Sequence, residues 1–230
     1  MLSIVTINFN NDKGLKKTIN SVAKLKSIFS LPIELIVIDG GSSDGSKEVI
    51  NDLKKYIDHL VIENDKGIYN AMNKGIKIAS YEWLNFMNSG DVFENLNKIE
   101  KILKKNLSFD VIYGDKIHLG KTSKAGNISL LMNGTIHACH QSMFFKRSLK
   151  VMYSEEYKVY GDYDYVLKHY ILRKNFKYVP LAFSNTEPDG IGQRYVWVKR
   201  IEKIKIILRL LGIKTLLKLI ISKFKKIFKR

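Results

Sequence analysis

The chain has a single cysteine, Cys139, and only three prolines in 230 residues. A lone thiol excludes an internal disulfide framework and suits a reducing compartment. Scarce proline together with 45% hydrophobic residues excludes a mainly disordered chain. Also absent is an uncharged apolar run of about 18 residues. Arg209, Lys214 and Lys218 interrupt the most apolar part of the chain, so no membrane-spanning helix is expected. The start, MLSIVTINFNN, has no basic n-region, apolar h-region or small-residue cleavage site, so export is not expected. Acid is lacking in one place above all. From Lys199 onward twelve basic residues accompany Glu202 alone, giving that segment +11 of the formal +17. It reads as a separate physical object with an anionic partner.

What is present is a succession of apolar runs with two kinds of period. Ser3 to Phe9 and Glu34 to Ile38 read as buried strands, separated by a helix with Leu15, Ile19, Val22, Leu25 and Ile28 on one face. A second helix follows with Val49, Ile50, Leu53 and Ile57, capped by Ser43 or Asp44. A short strand at His59 to Glu63, a helix through Ile68, Met72 and Ile76, and a strand at Trp83 to Met87 come next. Later strands are expected at Asp110 to Tyr113, Ser142 to Lys146 and Phe176 to Pro180, with a helix at Asp162 to Leu172. The order predicts an open α/β sheet flanked by helices.

Two acidic turns stand at the ends of apolar runs: ELIVIDGGSSDGS (Glu34 to Ser46) and EWLNFMNSGDVF (Glu82 to Phe93). At a strand's carboxyl end Asp39 can accept from a base N–H or a ribose hydroxyl, and Gly40-Gly41 let the backbone approach a ligand. The same pattern also suits a turn that caps a helix and binds nothing. Asp91 beside a diphosphate is electrostatically unfavourable unless a divalent cation bridges them. His140, or less favourably His137, is a candidate second ligand, and imidazole suits manganese better than magnesium. A hydrogen-bonded loop histidine that shapes the acceptor pocket is the alternative.

The segments SIVTINFN, VIDGGSSDGS, DKGIYNAMNKGI, FMNSGD, HQSMFF and GDYDYVLK, in that order, resemble the inverting family 2 glycosyltransferases of the GT-A fold, over roughly Leu2 to Arg194. The resemblance is closest to bacterial polysaccharide-assembly members with NSGD in the metal motif. It implies Thr6 and Asn8 around the nucleoside, Asp39 as a uracil or ribose ligand, Asp65 ahead of Lys66 as further donor contacts, and Asp91 on Mn2+ or Mg2+. It implies Asp162 as the general base, with Gly161 where the family pattern has Glu. Asp164 stands beside it as a helix-capping acid or a sharer of the base role. A glycine-hinged loop at Asn185 to Tyr195 places Arg194 to close over the donor diphosphate, or else is an exposed connection.

The tail has apolar stripes at Ile204, Leu208 and Leu211, then at Leu217, Ile220/Ile221, Phe224 and Ile227/Phe228, with Gly212 between them. Basic amphipathic helices of this kind lie in a membrane interface, drawn by anionic lipids. A partner-binding helix pair and a core-packing helix are the alternatives. A nucleic-acid arm is not expected, since stacking aromatics are nearly absent. The expected organisation is therefore a GT-A domain at 1–195 and a basic interfacial tail at 196–230. The expected activity is inverting transfer of a hexose from a nucleotide sugar, UDP-linked by preference, to a polyprenyl-diphosphate-linked saccharide at the cytoplasmic face of a bacterial inner membrane. O-antigen or capsule synthesis is the process the resemblance implies. A nucleotidyltransferase on a similar sheet and a non-catalytic membrane-surface adaptor are the other classes the residues allow.

Overall fold

The computed structural model describes residues 1–147, 151–172, 174–187 and 195–227, with side chains described through residue 222. The first strand β1 (Leu2–Asn8) lies in the middle of the sheet and is paired in parallel with β2 (Ile33–Asp39) and β4 (Trp83–Phe86). A strand buried on both faces has no need to alternate, which is why IVTI and LIVI read as continuous apolar runs. Between them α1 (Asp12–Ile28) buries Leu15, Ile19, Val22 and Leu25, and its first turn is capped by Asn11 Oδ1, which accepts from Gly14 N at 3.1 Å. Next come α2 (Ser46–Asp52), the edge strand β3 (His59–Ile62) and α3 (Ile68–Ile78). Asp44 accepts from Ser46 N and from Asp12 N, so one carboxylate serves the starts of α1 and α2.

The second half adds β5 (Val92–Phe93), α4 (Leu96–Lys105), β6 (Val111–His118), β7 (Lys121–Ser123), β8 (Met143–Lys146), α5 (Gly161–Ile171), β9 (Phe176–Thr186) and α6 (Val196–Ile227). The sheet order is β3-β2-β1-β4-β8-β6-β9-β5, with β7 paired to β6. β8 is antiparallel to both neighbours, which makes the sheet mixed. The last large strand runs six residues beyond the expected Pro180. Register passes from Gly114↔Val179 to Asp115↔Ala182, so Pro180 falls in a bulge. A proline has no N–H to give a ladder, and at a bulge none is required, so the strand continues past it.

Two clusters fill the faces of the sheet. Leu2, Ile4, Leu35, Trp83 and Phe144 meet α1 and α4 on one side; Val5, Ile36, Phe86, Phe145, Met72 and Val166 meet α3 and α5 on the other. Ile4 and Val5 are adjacent in sequence yet serve opposite clusters, as a period of two requires.

The first half of α6 is part of this packing. Ile206 and Ile207 are buried, with Ile206 in the same cluster as Val166. The boundary expected at residue 195 thus does not separate a domain from a detached tail. Gly212, at φ 79 and ψ 167, breaks the helix where two helices were expected to meet. Beyond it Ile213, Leu217 and Ile221 are exposed. No helix among the described residues is long and apolar enough to cross a membrane.

Burial also sets a pH dependence. His137 and His169 are buried, and burial holds both imidazoles down at about 4 from the ordinary 6.5. A histidine depressed in the folded state gives stability that is present above the unfolded value and lost as pH falls toward the folded one. Between pH 7 and pH 5 the pair is expected to remove about 2 kcal/mol apiece. Urea midpoints at the two values test this, and equal midpoints would exclude neutral burial of both rings.

Candidate active site

The carboxyl ends of β1, β2 and β4 and the starts of α3 and α5 meet at one edge of the sheet. Asn8, the last residue of β1, donates through Nδ2 to Asp39 Oδ2 at 2.7 Å and to Ser46 Oγ at 2.9 Å, and its Oδ1 has no partner. Asp39 is fully buried and also accepts from Gly41 N at 3.1 Å, Ser42 N at 2.8 Å and Ser42 Oγ at 2.7 Å. Four donors fill the roughly four lone-pair directions of a carboxylate. Asp39 therefore holds its own turn in shape, and a ligand bound to it has to displace one of these donors. Thr6 is buried beneath this turn with its hydroxyl unpartnered.

Beside the turn, Asp65 is paired with Lys74 at 2.5 Å, and its Oδ2 lies 3.1 Å from where a Cβ on Gly40 would stand. The ring of Phe9 approaches the same point to 3.2 Å and is 67% exposed. An exposed ring next to a strand end offers a face on which a planar base can stack; the sequence placed Phe9 inside a buried strand, whereas β1 ends at Asn8 and leaves the ring exposed. Lys66 is exposed, and its backbone N donates to Asn70 Oδ1 at 3.3 Å at the start of α3.

The Asn88–Asp91 loop is pinned from α1. Thr18 Oγ1 donates to Asp91 O at 2.7 Å and accepts from Gly90 N at 2.9 Å. Gly90 has φ +103, and a Cβ there would collide with the Glu187 carboxylate. Only glycine fits this position. The Asp91 carboxylate is buried and accepts from Gln141 Nε2 at 2.7 Å and Glu187 N at 3.0 Å. Burial raises its pKa above the ordinary carboxylate value; these two donors and His140 pull it back, while Glu187 adds to the rise.

Two donors on two oxygens leave lone pairs for a cation. Among the described residues no three His, Cys, Asp or Glu side chains gather into a cage. The residues present fit a divalent cation that takes one carboxylate from the protein and its remaining ligands from a diphosphate. His140, the second expected ligand, has Nε2 at 3.5 Å from Asn88 Nδ2 and Nδ1 at 3.9 Å from Asp162 Oδ2. It stands between the loop and the expected base.

The aspartates of α5 have separate environments. Asp162 has a side chain 24% exposed, with Oδ1 accepting from Tyr163 N at 2.8 Å. Asp164 is wholly buried and paired with Arg209 at 2.5 Å and Lys168 at 2.8 Å. It ties α5 to α6 and is unavailable to a substrate proton. The start of α5 is held by two residues that sequence reasoning missed. Tyr69 Oη, from α3, accepts from Gly161 N at 2.8 Å. Glu202, from α6, accepts from Lys158, Val159 and Tyr160 N at 2.7, 3.0 and 2.8 Å. Tyr69 lies within a motif already singled out, DKGIYNAMNKGI, whereas Glu202 had only its isolation among lysines to mark it. Arg194 lies outside the described residues.

Residues 3–152 match the family model described as Glycosyl transferase family 2. The chain belongs to glycosyltransferase family 2. A PGL/p-HBAD biosynthesis glycosyltransferase of Mycobacterium tuberculosis is 26% identical over 236 residues, covering 96% of this chain and 90% of that one. The poly-beta-1,6-N-acetyl-D-glucosamine synthase of Staphylococcus epidermidis is 30% identical over 142 residues, or 60% of this chain and 34% of its own. Among solved structures, S. aureus TarS 1-349 in complex with UDP-GlcNAc superposes with a TM-score of 0.66 at 15% identity, over 91% of this chain and 67% of that one. The Pyrobaculum calidifontis mannosyltransferase PcManGT in complex with GDP-Man and Mn2+ gives 0.66 at 12%, over 88% and 61%. These likenesses confirm the GT-A fold.

Within this glycosyltransferase the departure at Gly161 has a physical reason. A Cβ there would lie 2.6 Å from the Tyr69 ring, so the phenol that caps α5 leaves no room for the Glu of the family pattern.

Proposed function

We propose that this glycosyltransferase moves one hexose, with inversion, from a UDP-linked donor to a saccharide on a polyprenyl diphosphate at an anionic membrane surface, the cytoplasmic face of a bacterial inner membrane. The observation that carries it is the line from the Asn88–Asp91 loop through His140 to the partly exposed Asp162 carboxylate. In this reading the diphosphate leaves at the loop and the acceptor hydroxyl attacks from the side of Asp162.

A sugar hydroxyl is a weak nucleophile, so Asp162 takes its proton as the new C–O bond forms and the bond to the diphosphate breaks. One in-line displacement converts an α-linked donor into a β-linked product. Asn8, Asp65 and Lys66 contact the donor, Phe9 stacks on the base, and Asp39 holds the shape of the turn. A divalent cation at Asp91, when bound, neutralises charge on the departing diphosphate.

The membrane reading is supported by α6. Trp197, Ile201, Ile204 and Leu208 form an exposed stripe at helical spacing, while Glu202, Ile206 and Arg209 on the other side bind the domain. A helix whose inner face is satisfied and whose outer face is apolar among lysines suits the headgroup boundary. Polysaccharide assembly of the O-antigen or capsule type supplies an acceptor at that boundary.

Calorimetric titration with UDP and with GDP, each with and without manganese, tests the donor side. Manganese-dependent binding of UDP is expected, and at about 100 times Kd it should raise the melting temperature by roughly 5–10 °C. In Asp91→Asn the manganese dependence should vanish. The raised Asp91 pKa fixes the sign: a raised carboxylate gives stability present below its unfolded value and lost as pH rises through the folded one. At neutral pH ionisation of this carboxylate therefore lowers the stability of the fold. Binding of neither nucleotide would defeat the proposal.

A further inference from the structure

Asp162 also borders a pocket of about 390 Å³ whose other walls are Gly114 and Lys116 of β6, Ser123 to Ala125, and Ile136 to Cys139. None of Asp39, Asp65 or Asp91 lines it, so the pocket meets the donor side only at the expected base. Its charge is uneven. Lys116 of β6 and Lys124, the residue that follows β7, both line it. Neither ammonium has a hydrogen bond or ion pair with a described residue, and the nearby acid on β6, Asp115, accepts through Oδ1 from Ala125 N and the Tyr178 hydroxyl. Lysines left unpaired on an open surface are ordinary. Here two line one concave pocket, where like charges repel until an anion arrives.

A second observation points to a ligand in the same place. His137 lines the pocket, is 4% exposed, and has both ring nitrogens without partners. Tyr113 meets it only edge-on, with ring centroids 4.5 Å apart. A buried imidazole left this way is unfavourable, and a hydroxyl-bearing ligand removes the penalty.

Resting on the reading of Asp162 as the base, we infer that this pocket is the acceptor subsite and selects a saccharide bearing an anionic group. Lys116 and Lys124 hold the anion while a ring hydroxyl faces Asp162 and His137 takes a neighbouring hydroxyl. The anion is a phosphoryl or a carboxylate, and the two sources are separable.

The test titrates the full chain, saturated with UDP and manganese to close the donor site, with glucose 1-phosphate, glucuronic acid and methyl glucoside. Binding of one or both anions at least tenfold tighter than methyl glucoside is expected, and whichever binds names the source. Lys116→Ala with Lys124→Ala should abolish that preference while UDP affinity stays unchanged, and each single substitution should lower it in part. UDP affinity also reports that the variants are folded. Equal affinity for the three probes, or an anion preference that survives both substitutions, overturns the inference. Failure of the unaltered protein to bind UDP defeats the donor reading instead, and the two failures are thus distinct.

Discussion

Asp162→Asn is expected to bind UDP with manganese as tightly as the unaltered protein and to transfer sugar about 10²–10⁴-fold more slowly, the usual share of a general base. The substitution keeps size and keeps the oxygen that accepts from Tyr163 N, so the start of α5 is preserved. Only the proton acceptor is lost. Asp164 cannot take over, because its carboxylate is buried between Arg209 and Lys168. Asp164→Asn is the informative companion: it should reduce stability, whereas Asp162→Asn should leave the melting temperature near its original value. Unchanged turnover in Asp162→Asn would remove the base from this site.

Glu202→Ala is expected to destabilise the fold by about 3–5 kcal/mol, because several backbone donors lose their shared acceptor at once. Three backbone N–H groups at Lys158, Val159 and Tyr160 lose their acceptor together, and Val159 and Tyr160 are buried away from water. Each donor left unpaired costs about 1–3 kcal/mol. Thermal unfolding should shift downward by on the order of 10 °C. Glu202→Gln, which keeps one acceptor, should fall between. An unchanged transition would mean that α6 contributes nothing to the domain. Truncation separates the two halves of this helix: ending the chain after Leu211 should keep the fold and weaken affinity for anionic vesicles without abolishing it, since Trp197, Ile201, Ile204 and Leu208 remain, whereas ending it before Val196 should cost the fold as well.

The strands β1, β2 and β4 were legible because a strand covered on both faces must be apolar throughout. Helices α1 and α3 were legible because one face of each is covered. The helix α4 was not, although Leu96, Ile99 and Leu103 carry the spacing, since it follows a two-residue strand and opens at Asn95 in a left-handed conformation instead of a usual cap. The strand β9 was cut short because a proline usually ends a ladder, and a bulge is visible only once the partner strand is in place. In α6 the period revealed two faces, but a period does not say what covers them. Protein covers one face of its first half, through Ile206, Ile207 and Glu202, 40 residues or more from the segments they meet in the chain.

The acidic start of α5 shows most plainly where the sequence stops. Gly161-Asp162-Tyr163-Asp164 by itself determines a helix beginning with two carboxylates, because capping and the helix dipole act within one turn. It also determines that they diverge, since two residues along an α-helix turn the side chain by about 200°. Which of the two meets a substrate was decided only in three dimensions. Arg209 arrives from 45 residues downstream to neutralise Asp164, and the β6–β7 hairpin and His140 leave Asp162 at the mouth of a pocket. Charge and burial are set by whatever long-range contacts bring near, and no local pattern encodes those contacts.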